Sequence, residues 1–119
     1  QGEDAIDASE GARLVVEVAS EKQAADILLL DMRGLCDFTD YFVVLTGESR
    51  RQLQALLEDV DKALDAAGMP MHHKEGSPEA GWVLLDYGDV IVHAFGPEER
   101  EFYQLEQLWS QAPVLFRVQ

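Results

Sequence analysis

The stretch WVLLDYGDVIVHAF, residues 82–95, decides the fold. Its apolar runs Trp82–Asp86 and Asp89–Phe95 are separated by Tyr87-Gly88. Glycine readily adopts the positive φ that a two-residue hairpin turn needs. The pattern therefore predicts a β-hairpin in which the two runs are the antiparallel strands.

The predicted hairpin has two apolar faces. In the register of that turn, Trp82 faces His93 and Leu84 faces Ile91 on one side. The other side carries Val83, Leu85, Val90 and Val92. We expect helices to cover the valine-rich side and to leave the side with Trp82 partly open.

Two helices are predicted upstream of the hairpin. Asp7 with Glu10, and Ser49 with Gln52, have the spacing of capping boxes at helix starts. The second helix has apolar residues at helical spacing and ends at Gly68, which suits a left-handed helix end. These apolar residues are Leu53, Leu56, Leu57, Val60 and Leu64.

The remaining segments complete an alternating pattern. Ile27–Leu30 and Tyr41–Leu45 have the length and composition of buried strands. Met71–Glu75 is predicted as a short edge strand and Ser77–Gly81 as a surface loop. Gly96–Glu99 opens a last helix, with proline and acidic residues in its first turn. This order predicts a single α/β domain with a mixed sheet of about five strands flanked by helices.

Length and charge narrow the classes of function. The chain has 119 residues, the size of one domain, and we expect residues 1–7 and 112–119 to be peripheral. Its 9 basic and 23 acidic residues give a formal net charge of −14. This charge disfavours nucleic acid and favours a basic protein partner. The single cysteine, Cys36, predicts no internal disulfide and no zinc site. No apolar run approaches the roughly 20 residues of a membrane helix, so we expect a soluble cytoplasmic protein.

Three groups of polar residues have both a functional and a structural interpretation. Thr46–Arg51, at a strand-to-helix junction, is an anion-binding turn or an ordinary helix cap, and the cap is favoured. Asp86 and Asp89 are paired carboxylates or turn residues, and turn chemistry is favoured. His93 either packs beside an aromatic ring or belongs to a contact surface, and the sequence leaves both open.

Several short motifs occur in order along nearly the whole chain. They are Asp31-Met32-Arg33-Gly34-Leu35, Thr39-Asp40-Tyr41-Phe42, Thr46-Gly47 with Ser49, Glu75-Gly76, Trp82, Asp86–His93 and Phe102–Trp109. Read together, they resemble the ribosomal silencing factor family, RsfS, also called Iojap. The resemblance runs from the first helix to about Trp109.

The resemblance implies a non-enzymatic translation repressor. Members of this family bind the large ribosomal subunit through its fourteenth ribosomal protein and so obstruct joining of the small subunit when nutrients run short. It also implies a homodimer in the free protein and a fold similar to nucleotidyltransferases. A nucleotide-binding enzyme is therefore the alternative, although Met71–Glu75 lacks the Asp-x-Asp pair that would hold a metal.

We place the partner-binding surface on the open side of the hairpin, because tryptophan often anchors interfaces. Its residues are Trp82, Leu84, Tyr87, Asp89, Ile91 and His93, with Tyr87 and Asp89 near its edge. Trp82 is the predicted hot spot. We expect no catalytic residue, cofactor or metal ligand.

Overall fold

A six-stranded mixed sheet with two helices on one side forms the fold of the computed structural model, which describes residues 6–99 and 111–118. The helices are α1 (Ala8–Glu21) and α2 (Arg50–Ala66), and the strands are β1 (Ala25–Asp31), β2 (Tyr41–Thr46), β3 (His73–Ser77), β4 (Trp82–Asp86), β5 (Val90–Phe95) and β6 (Val114–Val118). The strands lie in the order β3-β4-β5-β2-β1-β6. Strands β2 and β5 are parallel, whereas the other neighbouring pairs are antiparallel. The α/β class and the mixed sheet are thus confirmed.

The sixth strand comes from the tail, which we expected to be peripheral. Strand β6 lies at one edge of the sheet and pairs with β1, with Phe116 opposite Leu29. This strand was not predicted, and Pro113 stands directly before it. A proline just before a strand is compatible with pairing, since the missing N–H then lies outside the ladder.

The predicted helix starts are confirmed, with one difference in a cap. At α1, Asp7 and Glu10 form the reciprocal capping box. At α2, the Ser49 side chain accepts from the Gln52 N–H at 3.0 Å, as predicted. The Gln52 side chain instead accepts from the Glu48 N–H at 2.6 Å and donates to two carbonyls at the end of α1. Gln52 therefore joins the two helices instead of closing a capping box.

Both helices cover the predicted side of the hairpin. The apolar residues predicted for α2 are buried there together with α1 residues such as Val15 and Ala19. The sheet residues in this core include Val83, Leu85, Val90 and Val92. Neither helix covers the opposite side of the sheet, which carries Trp82, yet most residues of that side are buried as well, and Trp82 and Leu84 are its partly exposed members.

The register of the hairpin differs from the prediction by two residues. Strands β4 and β5 pair Leu84 with His93 and Trp82 with Phe95. The predicted pairing of Leu84 with Ile91 is therefore wrong, and so is that of Trp82 with His93. A shift of two residues keeps every side chain on its predicted face, because side chains alternate with a period of two.

The position of the turn explains this shift. The Tyr87 N–H donates to the Val90 carbonyl at 2.9 Å, so Tyr87 still belongs to the ladder and Gly88-Asp89 form the turn. Gly88 has a φ of 91°. Its N–H donates to the Asp86 carboxylate at 2.7 Å, which confirms the turn role expected of Asp86.

The structure bears on three smaller predictions, which concern the edge strand, a surface loop and the last helix. The edge strand β3 exists but lies two residues later than Met71–Glu75. The loop predicted at Ser77–Gly81 contains a single 3₁₀ turn, Pro78–Ala80. Residues 97–99 are helical as predicted, and the rest of that last helix lies outside the described residues.

Neither α1 nor α2 has the length and apolar character needed to cross a membrane.

Candidate functional site

The side of the sheet opposite α1 and α2, here called the second face, is the candidate site. It is apolar across four strands, with rows of paired residues running side by side. One row joins Leu84, His93, Val44 and Leu28 across β4, β5, β2 and β1. The residues of this face are Leu28, Leu30, Phe42, Val44, Trp82, Leu84, Ile91, His93 and Phe95.

His93 lies in the middle of the second face between two aromatic rings. Its imidazole meets Phe42 edge-on at 4.8 Å between centroids and is parallel to Phe95 at 6.4 Å. The side chain is only 8% exposed, and its Nε2 has no hydrogen-bond partner among the described residues. Burial lowers the pKa of His93 to about 4. The ring is therefore neutral at pH 7 and packs as an apolar group.

The predicted contact residues differ in how far they are exposed to solvent. Trp82 and Leu84, on β4, are partly exposed. Ile91 and His93, on β5, are buried beside them, being 6% and 8% exposed. Asp89 is exposed at the hairpin turn. The accessible part of the hairpin is therefore smaller than the sequence predicted.

Tyr87 does not lie at the edge of the second face, so its predicted position is wrong. Its side chain is 4% exposed and belongs to the core under the helices. The hydroxyl donates to the Asp61 carboxylate of α2 at 2.8 Å. Burial, and then this hydrogen bond, raise the pKa of Tyr87. The residue points to the helical side because it continues the alternation of Val83 and Leu85.

Trp82 packs closely against the neighbouring edge strand. A Cβ on Gly76 would lie 2.1 Å from the Trp82 carbonyl oxygen and 2.9 Å from a carbon of its ring. Gly76 also has a φ of 81°. Glycine at this position lets β3 approach β4, and the close approach holds the Trp82 ring in place.

The loop between β1 and β2 carries exposed apolar residues that the sequence analysis missed. Phe38 is 60% exposed and Leu35 is 38% exposed. The Phe38 ring lies 6.2 Å from the ring of Phe42, at one end of the second face. The available signal was an aromatic residue between two polar residues, Asp37 and Thr39, outside the predicted strands.

Two backbone N–H groups of the Thr46–Arg51 junction are already used within the protein. The Gly47 N–H donates to the Phe95 carbonyl, and the N–H of Glu48 donates to Gln52. A cleft of about 190 Å³ borders this junction, and its acidic lining residues are Glu48, Glu79, Glu98 and Glu99. Such a lining repels phosphate groups. The described residues also contain no group of three or more His, Cys, Asp or Glu that could hold a metal ion.

Comparison with known proteins gives one consistent family. The family described as "Ribosomal silencing factor during starvation" matches residues 5–118. The ribosomal silencing factor RsfS of Bacillus subtilis is 41% identical over 102 residues, which cover 86% of each chain. A mouse protein named "Mitochondrial assembly of ribosomal large subunit protein 1" is 33% identical over 100 residues, covering 82% of this chain and 44% of its own length.

The same comparison holds for solved structures. A crystal structure of a protein from Chromobacterium violaceum is similar to this fold with a TM-score of 0.84. The two chains are 35% identical, and the similarity covers 88% of each.

Proposed function

The chain belongs to the ribosomal silencing factor family, and from that premise we propose that it represses translation by binding the large ribosomal subunit through its fourteenth ribosomal protein. In this proposal the bound protein occupies the space that the small subunit needs for joining. Occupancy alone is sufficient, so the protein acts as a binding module of the cytoplasm and not as an enzyme.

The observation that carries this proposal is the family match over residues 5–118, which includes almost the whole chain. The mouse relative is named for assembly of the ribosomal large subunit. That name supports the large subunit, and not the small one, as the target of this protein.

The charge of the chain supports a protein partner. A formal net charge of −14 attracts a basic protein surface and repels exposed ribosomal RNA. Electrostatic complementarity of this kind speeds association and suppresses wrong docking.

We assign the contact to the accessible part of the second face. Trp82 is the anchor, Leu84 and Asp89 flank it, and the buried Ile91 and His93 support it from within the sheet. Tyr87 lies on the other side and positions the hairpin turn through Asp61. An anchor that is partly exposed in the free protein gains burial only when the partner binds.

The acidic cleft at the Thr46–Arg51 junction argues against the nucleotide-binding alternative. A nucleotide would bring phosphates to a cleft lined by four glutamates and one arginine, Arg50, and the N–H groups of Gly47 and Glu48 already have acceptors. We therefore propose no nucleotide-dependent activity.

We further propose that the free protein is a homodimer. Strand β6 lies at an edge of the sheet, and its residues Val114, Leu115 and Phe116 are each about half exposed. An apolar edge strand tends to pair with another chain. Light scattering on the free protein tests this proposal, and a monomer at all concentrations contradicts it.

Binding to the isolated fourteenth ribosomal protein tests the assignment of the contact. Trp82→Ala is expected to weaken binding about thirtyfold, or about 2 kcal/mol, while the protein remains folded by thermal melting. The control Glu58→Gln, at an exposed position of α2 on the other side of the sheet, is expected to bind like the parent. Parent-like binding by folded Trp82→Ala overturns the contact, and a parent that does not bind overturns the partner.

A further inference from the structure

We propose that the loop between β1 and β2, residues 32–40, is a second contact element with Phe38 as its anchor. It fits a protein surface that offers an apolar recess rimmed by lysine and arginine side chains. This inference rests on the proposed function, because it extends the same partner surface beyond the hairpin.

Phe38 has the geometry of an anchor. Its side chain is 60% exposed, more than that of any other large apolar residue described. Its ring rests on Phe42 at 6.2 Å between centroids, and Phe42 is itself 3% exposed. A rigid aromatic side chain seated on a packed base loses little conformational freedom on binding.

Acidic residues accompany this anchor in the loop and in the adjoining turn. Asp37 is the neighbour of Phe38 in the chain and is exposed, and Asp40 lies two residues later. The carbonyl of Asp89, in the hairpin turn, accepts the N–H groups of Asp40 and Tyr41, both at 3.0 Å. The loop and the turn are therefore joined, and together they carry three acidic residues, here called the acidic rim.

Arg33, the arginine of this loop, offsets the acidic rim only in part, because its main partner is Asp31 and the charge of Asp40 is the last of the contributions that raise its pKa. Arg33 forms two hydrogen bonds to Asp31, at 2.9 and 2.8 Å, and its guanidinium lies over the Tyr41 ring at 5.4 Å. The rim therefore remains negative, and it selects a basic partner and disfavours RNA.

The spacing allows one partner to contact both anchors. Trp82 pairs with Phe95, and the row of Phe42 contains Ile91, four residues earlier in β5. Four strand residues span roughly 13 Å along the sheet, and the two strand spacings from β4 to β2 add roughly 10 Å across it. Both anchors therefore fit within the roughly 800 Å² that one protein buries in a standard interface.

Binding of purified large ribosomal subunits to Phe38→Ala tests this inference, with Leu14→Ala as the control. Leu14 is a partly buried apolar residue of α1, on the other side of the sheet. We expect Phe38→Ala to weaken binding at least tenfold with an unchanged melting temperature, and folded Leu14→Ala not to weaken it. If Phe38→Ala binds like the parent while Trp82→Ala binds more weakly, this inference alone is overturned. If the parent itself does not bind, the proposed function and the inference are overturned together.

A second comparison tests the acidic rim. Asp37→Asn with Asp89→Asn is expected to slow association several-fold at low salt and to reduce its salt dependence. The matched control, Glu58→Gln with Asp65→Asn, makes the same change of net charge on α2. Equal effects of the two double variants would mean that only the net charge matters and would overturn the role of the rim.

Discussion

The imidazole of His93 meets the ring of Phe42 edge-on, with 4.8 Å between the ring centroids and 73° between the ring planes. A titratable ring thus lies within the apolar second face, and its buried Nε2 has no hydrogen-bond partner among the residues that the structure describes. Protonation of this ring would place a charge among aromatic side chains. The arrangement therefore makes the stability of the fold depend on pH.

His93→Leu is expected to remove this dependence. Burial lowers the pKa of His93 from 6.5 to about 4, so the unfolded chain binds a proton that the folded chain does not between these values. The contribution of the neutral His93 ring to the free energy of unfolding is complete above pH 6.5. It is lost as the pH falls towards 4, by at most about 1.4 kcal/mol per pH unit. Urea unfolding at pH 7, 6 and 5 measures it. If the free energy of unfolding of His93→Leu changed with pH as steeply as that of the parent, the prediction would be contradicted.

Gly76→Ala is expected to destabilise the edge of the sheet more than Gly34→Ala does. Both glycines have φ above 80°, so each substitution carries a similar backbone strain of about 1 kcal/mol. An added Cβ at Gly76 meets Trp82, whereas one at Gly34 has nothing within 4 Å. The difference between the two variants in free energy of unfolding therefore isolates the contact with Trp82. Equal losses would show that this contact can relax.

The hydrogen bond between Tyr87 and Asp61 is expected to couple the hairpin turn to α2. Tyr87→Phe should cost about 1 kcal/mol of stability, because Asp61 loses its donor in a partly buried site. A double-mutant cycle with Asp61→Asn measures the coupling, which we expect to lie near 0.5–1.5 kcal/mol. Additive effects of the two substitutions would contradict a direct interaction.

Local patterns in the sequence predicted most of the fold. The alternation within the two strands placed Trp82–Leu85 and Val90–His93 on their observed faces, although Tyr87 was assigned to the wrong one, and the spacing from Leu53 to Leu64 predicted the buried side of α2. The register was not predictable in this way, because Tyr87-Gly88 and Gly88-Asp89 are both acceptable turns. The buried hydrogen bond of Tyr87 to a distant helix favours the second turn.

The candidate site was predicted only in part, for a related reason. Trp82 and Leu84 could be assigned to one face by alternation, but the exposure of Phe38 depends on how the loop between β1 and β2 rests on Phe42. Such a contact between segments leaves no periodic signal in the sequence. The pairing of β6 with β1 is a second long-range contact of this kind.

We expect that the protein, by occupying the large subunit, blocks subunit joining. Sedimentation of mixed large and small subunits with increasing amounts of the protein tests it most directly, with Trp82→Ala as the comparison. We predict that joined ribosomes decrease in proportion to the large subunits that carry the parent, and that Trp82→Ala needs about thirtyfold more protein for the same decrease. Joined ribosomes that persist while the parent saturates the large subunit would contradict the account.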